Sequence, residues 1–128
     1  MANIFLFLGS INAFLAVALG AFGAHALKNK LSDKMLTAFQ TGVHYHLIHA
    51  VALIVVAILI KSTSATSSLP VWSGWLLVSG IVLFSGSLYA MSLSGITRLG
   101  IITPFGGLAF LAGWLILAIY AIVSKPMI

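Results

Sequence analysis

The chain has no cysteine and a single carboxylate, Asp33. Without a thiol there is no disulfide, no thiolate nucleophile and no thiolate-held metal, and nothing marks a redox compartment. One acid also leaves no pair of carboxylates for acid and base work, and neither a Ser-His-acid set, a phosphate loop nor "HExxH" is present. Catalysis by Asp33 alone would need a partner that the sequence does not offer. Ser32 followed by Asp33 is explained more simply as a cap and a favourable charge for a helix running into the second apolar segment. Charged residues make up 5% of the chain and hydrophobic ones 62%, far from the soluble range of roughly half apolar and about a quarter charged. The net charge of +5 therefore reflects missing carboxylates, and its Lys and Arg are scattered at helix ends, which argues against nucleic acid as a partner.

What is abundant is long apolar sequence. A bilayer core about 30 Å thick takes about 20 helical residues, and four stretches qualify, at about 3–26, 41–60, 71–93 and 104–123. The first is not read as a secretory signal, because no basic region precedes it and its uncharged run exceeds the usual 7 to 15 residues, roughly, of such a segment. Short connections force consecutive helices antiparallel. The expected fold is one all-α domain over 1–128, an integral membrane four-helix up-down-up-down bundle, multi-pass, in the cell membrane if the source is bacterial. Lys28, Lys30, Lys34 and Arg98 fall on one side, with Lys61, Lys125 and the amino terminus on the other. That bias slightly favours both termini outside. Thr103 is expected to cap the fourth helix with its hydroxyl, ahead of Pro104 at the first helical position.

Helices already in lipid associate by close packing, which small residues permit. Ala16, Gly20 and Ala24 form one smooth stripe, Gly86, Ala90 and Ser94 a second, and Gly106, Ala109 and Gly113 a third. These are read as packing within the chain, with a dimer or trimer seam as the alternative. Asn12, Ser85 and Ser87 lie inside spans and are read as hydrogen-bonding ties between helices, since an unpaired polar group in hydrocarbon is costly. Trp72, Trp75, Tyr89 and Tyr120 are read as interfacial rings.

"GVHYHLIHA" (42–50) places three histidines at the head of the second span. Counting back from Lys61 puts all three within the spanning length, His49 near mid-depth and His44 and His46 nearer the headgroups. At about 100° per residue the three cannot converge. His46 and His49 could supply two metal ligands, but the others are missing. His25, ending the first span, is expected level with residues 40–44, shallower than His49, which argues against a haem held between them. His44 and His46 are therefore expected as headgroup-wetted imidazoles. His25 and His49, with Tyr45, are functional candidates because ionisable groups at membrane depth are costly; the alternative is a neutral imidazole bonded to a backbone carbonyl or to Tyr45.

Four strings then stand together: "ALGAFGAHAL", "FQTGVHYHLIHA", "LFSGSLYAMSL" and "ITPFGGLAFLAGW". In them the chain resembles, over essentially its whole length, the small membrane proteins catalogued as domain of unknown function 423 or uncharacterised protein family 0382, to which transmembrane protein 256 is similar. The matching positions are Gly20, Gly23, His25, Thr41, Tyr45, His49, Ser85, Gly86, Ser87, Tyr89, Thr103, Pro104, Gly106, Gly107, Gly113 and Trp114, with His44 and His46 beside the pattern. The resemblance implies a four-helix membrane protein and brings no reaction, metal or cofactor. Three functions compete. The leading one is a non-enzymatic bundle that is structural, binds membrane lipid through Lys28, Lys30 and Lys34, or forms a homo-oligomer. Second is a small-solute or proton-linked carrier or channel using His49, His25 and Asn12. Third is a metal, haem or quinone-binding subunit.

Overall fold

Four helices follow one another in the computed structural model, which describes residues 1–62 and 67–124. They are α1 (Ala2–Leu27), α2 (Asp33–Ser62), α3 (Leu69–Ser94) and, after a 3-10 turn at Thr97–Ile101, α4 (Thr103–Val123). Each is long and apolar enough to cross a membrane, and no strand occurs among the described residues. The chain is a multi-pass integral membrane protein of the expected all-α architecture. Lys125, placed by sequence at the far end of the fourth span, lies outside the described residues.

Helix ends explain where the spans depart from the sequence reading. The Ser32 hydroxyl accepts the Met35 N–H at 3.2 Å and its carbonyl accepts the Leu36 N–H at 2.8 Å, while Asp33 occupies the first turn. These caps start α2 well before residue 41. Its 30 residues extend about 45 Å, more than the hydrocarbon thickness of about 30 Å, so residues 33–40 reach toward the headgroups. This earlier start also moves His25. A Cβ on Gly20 would meet Val43 and one on Gly23 would meet Phe39, so His25 lies level with the residues before Phe39 and not with 40–44.

Gly95 closes α3 in the left-handed conformation, at φ +75°, and its N–H bonds the Met91 carbonyl at 2.8 Å, the αL ending that glycine favours. The 3-10 turn then delivers Ile102 already in right-handed helical geometry. No extended cap residue precedes α4, so Thr103 does not cap it. Its hydroxyl instead meets that of Ser87 at 2.6 Å, across to α3.

Helices α2 and α3 form the centre, with α1 packed on α2 and α4 on α3. Phe5 of α1 also reaches α3, edge-on to Trp75 at 5.0 Å, and Phe110 of α4 reaches α2. Phe5, Leu53, Val56, Leu77, Ile81 and Phe110 make the apolar core. Small residues set the spacing on both flanks. A Cβ on Gly9 would stand 2.8 Å from the Ala50 carbonyl oxygen, and one on Gly113 2.9 Å from Leu77; on Gly106 it would run into the Phe84 backbone. Gly86 and Ala90 are placed differently. The buried line of α3 passes through Leu77, Ile81, Ser85, Leu88 and Ser92, about 100° of helix away from Gly86. A Cβ on Gly86 would meet only its own helix at 3.9 Å, and Ala90 is exposed. Spacing revealed that smooth stripe but not the direction it faces.

Candidate functional site

The polar groups concentrate where α2 passes the later half of α3 and the start of α4. Helix α3 contains a π turn at Ile81–Ser85, and Ser85 at its end sends its hydroxyl across to the Gly42 carbonyl at 2.7 Å. Ser87 donates to the Phe84 carbonyl at 2.9 Å in addition to its contact with Thr103. Helices in lipid have no water to satisfy such groups, so these bonds fix how α2, α3 and α4 meet.

His46 and His49 occupy two faces of α2. His46 is 4% exposed and lies between α1 and α3, contrary to the expectation of a headgroup-wetted ring. Asn12 donates one Nδ2 hydrogen to the Leu8 carbonyl at 2.8 Å, and its Oδ1 stands 2.8 Å from His46 Nε2. The amide oxygen can only accept, so His46 Nε2–H donates. Nδ1 is then the acceptor, taking the Tyr89 hydroxyl hydrogen at 2.9 Å. One unbroken line, Tyr89 to His46 to Asn12 to Leu8, crosses three helices. Tyr89 is thus a half-buried partner of His46 and not simply an interfacial ring.

His49, also 4% exposed, carries the other tautomer. The Trp114 indole N–H, which can only donate, points at its Nε2 at 3.0 Å. Nδ1 therefore holds the proton and donates to the Tyr45 carbonyl at 2.7 Å. The ring lies face to face on Phe110, centroids 3.6 Å apart and planes within 10°. Tyr45 is nearly parallel to both, at 6° to His49 and 15° to Phe110.

On this side the bundle is open. A groove of about 810 Å³ runs between α2 and α4, bordered by His44, Tyr45, His49, Gly107, Phe110 and Trp114, within the roughly 300–1,000 Å³ typical of small-molecule sites. Tyr45 and Trp114 are 40% and 44% exposed, and Ile48, Leu108 and Leu111 present apolar side chains at its rim.

Of the sequence candidates, the structure brings Asn12 to His46, ties Ser85 and Ser87 across helices, and sets His49 beside Tyr45. His25 is exposed on the last turn of α1, away from that cluster. Lys28, Lys30, Lys34 and Arg98 are all exposed at the same end of the bundle. Tyr120 is buried at 5% exposure, with its hydroxyl unpartnered among the described residues. No group of three His, Cys, Asp or Glu side chains able to hold a metal occurs among the described residues. Sequence reasoning missed His46, Tyr89, Thr103 and Trp114 as bonding partners. Polar atoms in apolar spans require partners, which signalled that these groups bond, whereas which of them meet depends on the relative rotation of the helices.

A family profile described as "Protein of unknown function (DUF423)" matches residues 19–107. The chain is 51% identical over 120 residues to the "UPF0382 membrane protein YwdK" of Bacillus subtilis (strain 168), covering 94% of this chain and 97% of that one. It is 48% identical over 117 residues to a UPF0382 membrane protein of Staphylococcus saprophyticus, covering 91% and 95%. A UPF0382 membrane protein of Staphylococcus epidermidis (strain ATCC 12228) is 47% identical over 117 residues, covering 91% and 93%. No solved structure matches the chain.

Proposed function

The chain belongs to the DUF423 family of membrane proteins, and from that premise we propose that it is a non-enzymatic helical bundle that works by associating with membrane lipid. One observation carries this reading. All four ring nitrogens of the buried histidines are already spent on fixed partners. An imidazole acting as a general base, metal ligand or proton carrier needs a lone pair free to meet its substrate, and the lone pair of each ring is engaged by Tyr89 or Trp114. The relatives' names, "UPF0382 membrane protein", mention no reaction.

The lipid contact falls at the basic end. Lys28, Lys30, Lys34 and Arg98 are exposed there, with Asp33 as the one acid nearby. Each basic side chain near an anionic surface contributes about 1 kcal/mol. Two measurements test the proposal. Native mass spectrometry of the purified protein should show retained phosphatidylglycerol, reduced in the variant carrying Lys28→Gln, Lys30→Gln and Lys34→Gln; unchanged retention removes the lysines from the account. Proton and small-solute flux in proteoliposomes should be equal for wild type and His49→Ala, and a flux that depends on His49 would replace this reading with that of a carrier.

A further inference from the structure

The groove between α2 and α4 opens onto the lipid, so its occupant arrives through the bilayer. Tyr45 stacks with Phe110 and, one turn on, His49 bonds Trp114, so the two helices run in the same direction and both begin at the basic end of the bundle. His44 and Tyr45 border the groove nearest that end, and Ile48 and Leu111 carry apolar side chains farther along it. His49 lies deeper, but the Tyr45 carbonyl and the Trp114 indole already occupy its ring nitrogens. Gly107 keeps the passage clear: a Cβ there would find only the Phe84 ring, at 3.9 Å, so packing does not demand a glycine, whereas a longer side chain would stand in the groove.

The face of α2 that borders the groove continues upward to a charge. At about 100° per residue, Lys34 lies about 20° around the helix from Tyr45 and about 40° from Ile48, and about 16 Å along the axis above Tyr45. Lys34 is exposed and belongs to the part of α2 that reaches past the hydrocarbon, so it stands among the headgroups above the groove. One leaflet is about 20 Å deep from headgroup to midplane. A phospholipid whose phosphate meets Lys34 therefore has its acyl chain beside Tyr45 and Ile48. Lys28 and Lys30 follow α1, which packs on the far side of α2, where Gly20 meets Val43, about 160° around the helix from Tyr45.

A second copy of the chain is the other apolar occupant within reach, and charge disfavours it. Copies inserted alike in one membrane bring like ends together, and at this end Lys28, Lys30, Lys34 and Arg98 face Asp33 alone. The field that repels a second copy attracts an anionic headgroup.

We infer that the α2/α4 groove holds one acyl chain of an anionic phospholipid whose phosphate pairs with Lys34. This rests on the lipid association proposed above and gives it a place: Lys34 selects the headgroup and the groove retains the chain.

The test uses the full chain in nanodiscs of phosphatidylcholine, with Trp72→Phe and Trp75→Phe so that Trp114, at the groove, is the one remaining indole. Phosphatidylglycerol brominated on its acyl chains, a contact quencher of indole, is titrated in and compared with equally brominated phosphatidylcholine. Quenching by the anionic lipid should saturate at an about fivefold lower mole fraction. Lys34→Gln should abolish that preference, Lys34→Arg should keep it, and Lys28→Gln with Lys30→Gln should disturb it less than Lys34→Gln does. Gly107→Leu, with a circular dichroism spectrum matching the parent, should remove the saturable component; the Lys34 comparison stands whether or not this variant folds. Coincident curves for the two lipids, or a preference that Lys34→Gln leaves intact, overturn the pairing. Saturable, phosphatidylglycerol-selective quenching that survives Gly107→Leu puts the lipid outside the groove and overturns the inference, while lysine-dependent retention in the mass spectrometric experiment above would still stand. A dimer that Gly107→Leu dissociates gives the groove to a second copy and overturns it as well.

Discussion

His46 and His49 sit one turn apart on α2 and are equally buried, yet they live in opposite surroundings. His46 faces a closed seam where α1, α2 and α3 meet, and both its partners are side chains from other helices. His49 faces a seam that α4 covers only in part, bonding one carbonyl of its own helix and one half-exposed indole. The contrast shows what a polar residue in lipid can be for. At His46 the imidazole is a bridge, and removing it strands a hydroxyl and an amide. At His49 it forms the back of a groove, and removing it strands an indole N–H that can still turn toward the opening.

The harshest way to break the comparison is to prise α4 off α3. Gly106→Leu would drive α4 off the Phe84 backbone, and backbone cannot yield as a side-chain tip can. The expected cost is about 3 kcal/mol or more, read as a lower midpoint in dodecyl sulfate titration followed by circular dichroism. His46→Leu comes next. It deletes two interhelical bonds and leaves the Tyr89 hydroxyl and the Asn12 Oδ1 without those partners, together on the order of 2–4 kcal/mol. Combined with Tyr89→Phe, a cycle should return a coupling of about 1 kcal/mol. A coupling near zero would mean that His46 does not accept from Tyr89.

How far this site was visible beforehand depends on which level of structure each feature needs. Span length and charge placement are local, so the four helices and the Ser32–Asp33 start of α2 could be read from composition and caps. Pairing of Asn12, Ser85 and Ser87 follows from the cost of polar groups in hydrocarbon, so their bonding role was legible, though not their partners. The pairings Tyr89–His46, Thr103–Ser87 and Trp114–His49 require the rotation of each helix about its axis. Periodicity defines a face but not the neighbour it meets. That is also why the Gly86 and Ala90 stripe was read as packing while it faces outward, and why His46, counted as shallow, lies in the middle of three helices.

On the open side the effects should be smaller. Trp114→Phe removes one bond to His49 and keeps the ring, so it should cost about 0.6–1.7 kcal/mol, the range for single interhelical bonds in membranes. Its measured cost should therefore fall below that of His46→Leu; equality would mean that the His49 seam is as closed as the other.

The smallest effect, and the one most diagnostic of an open groove, is expected at Gly107. Alanine there adds a methyl group that finds its nearest neighbour at 3.9 Å, ordinary contact with no backbone in the way. It also removes the conformational freedom that glycine contributes to the unfolded helix, a gain of roughly 0.5–1 kcal/mol in helix interiors. Gly107→Ala should therefore leave the dodecyl sulfate midpoint unchanged or raise it slightly, while Gly106→Ala lowers it. Two adjacent glycines would then respond with opposite signs, because one fills a seam and the other borders an opening. If both lower the midpoint, α4 packs against α2 as tightly at residue 107 as it packs against α3 at residue 106, and the distinction between the two sides of α2 disappears.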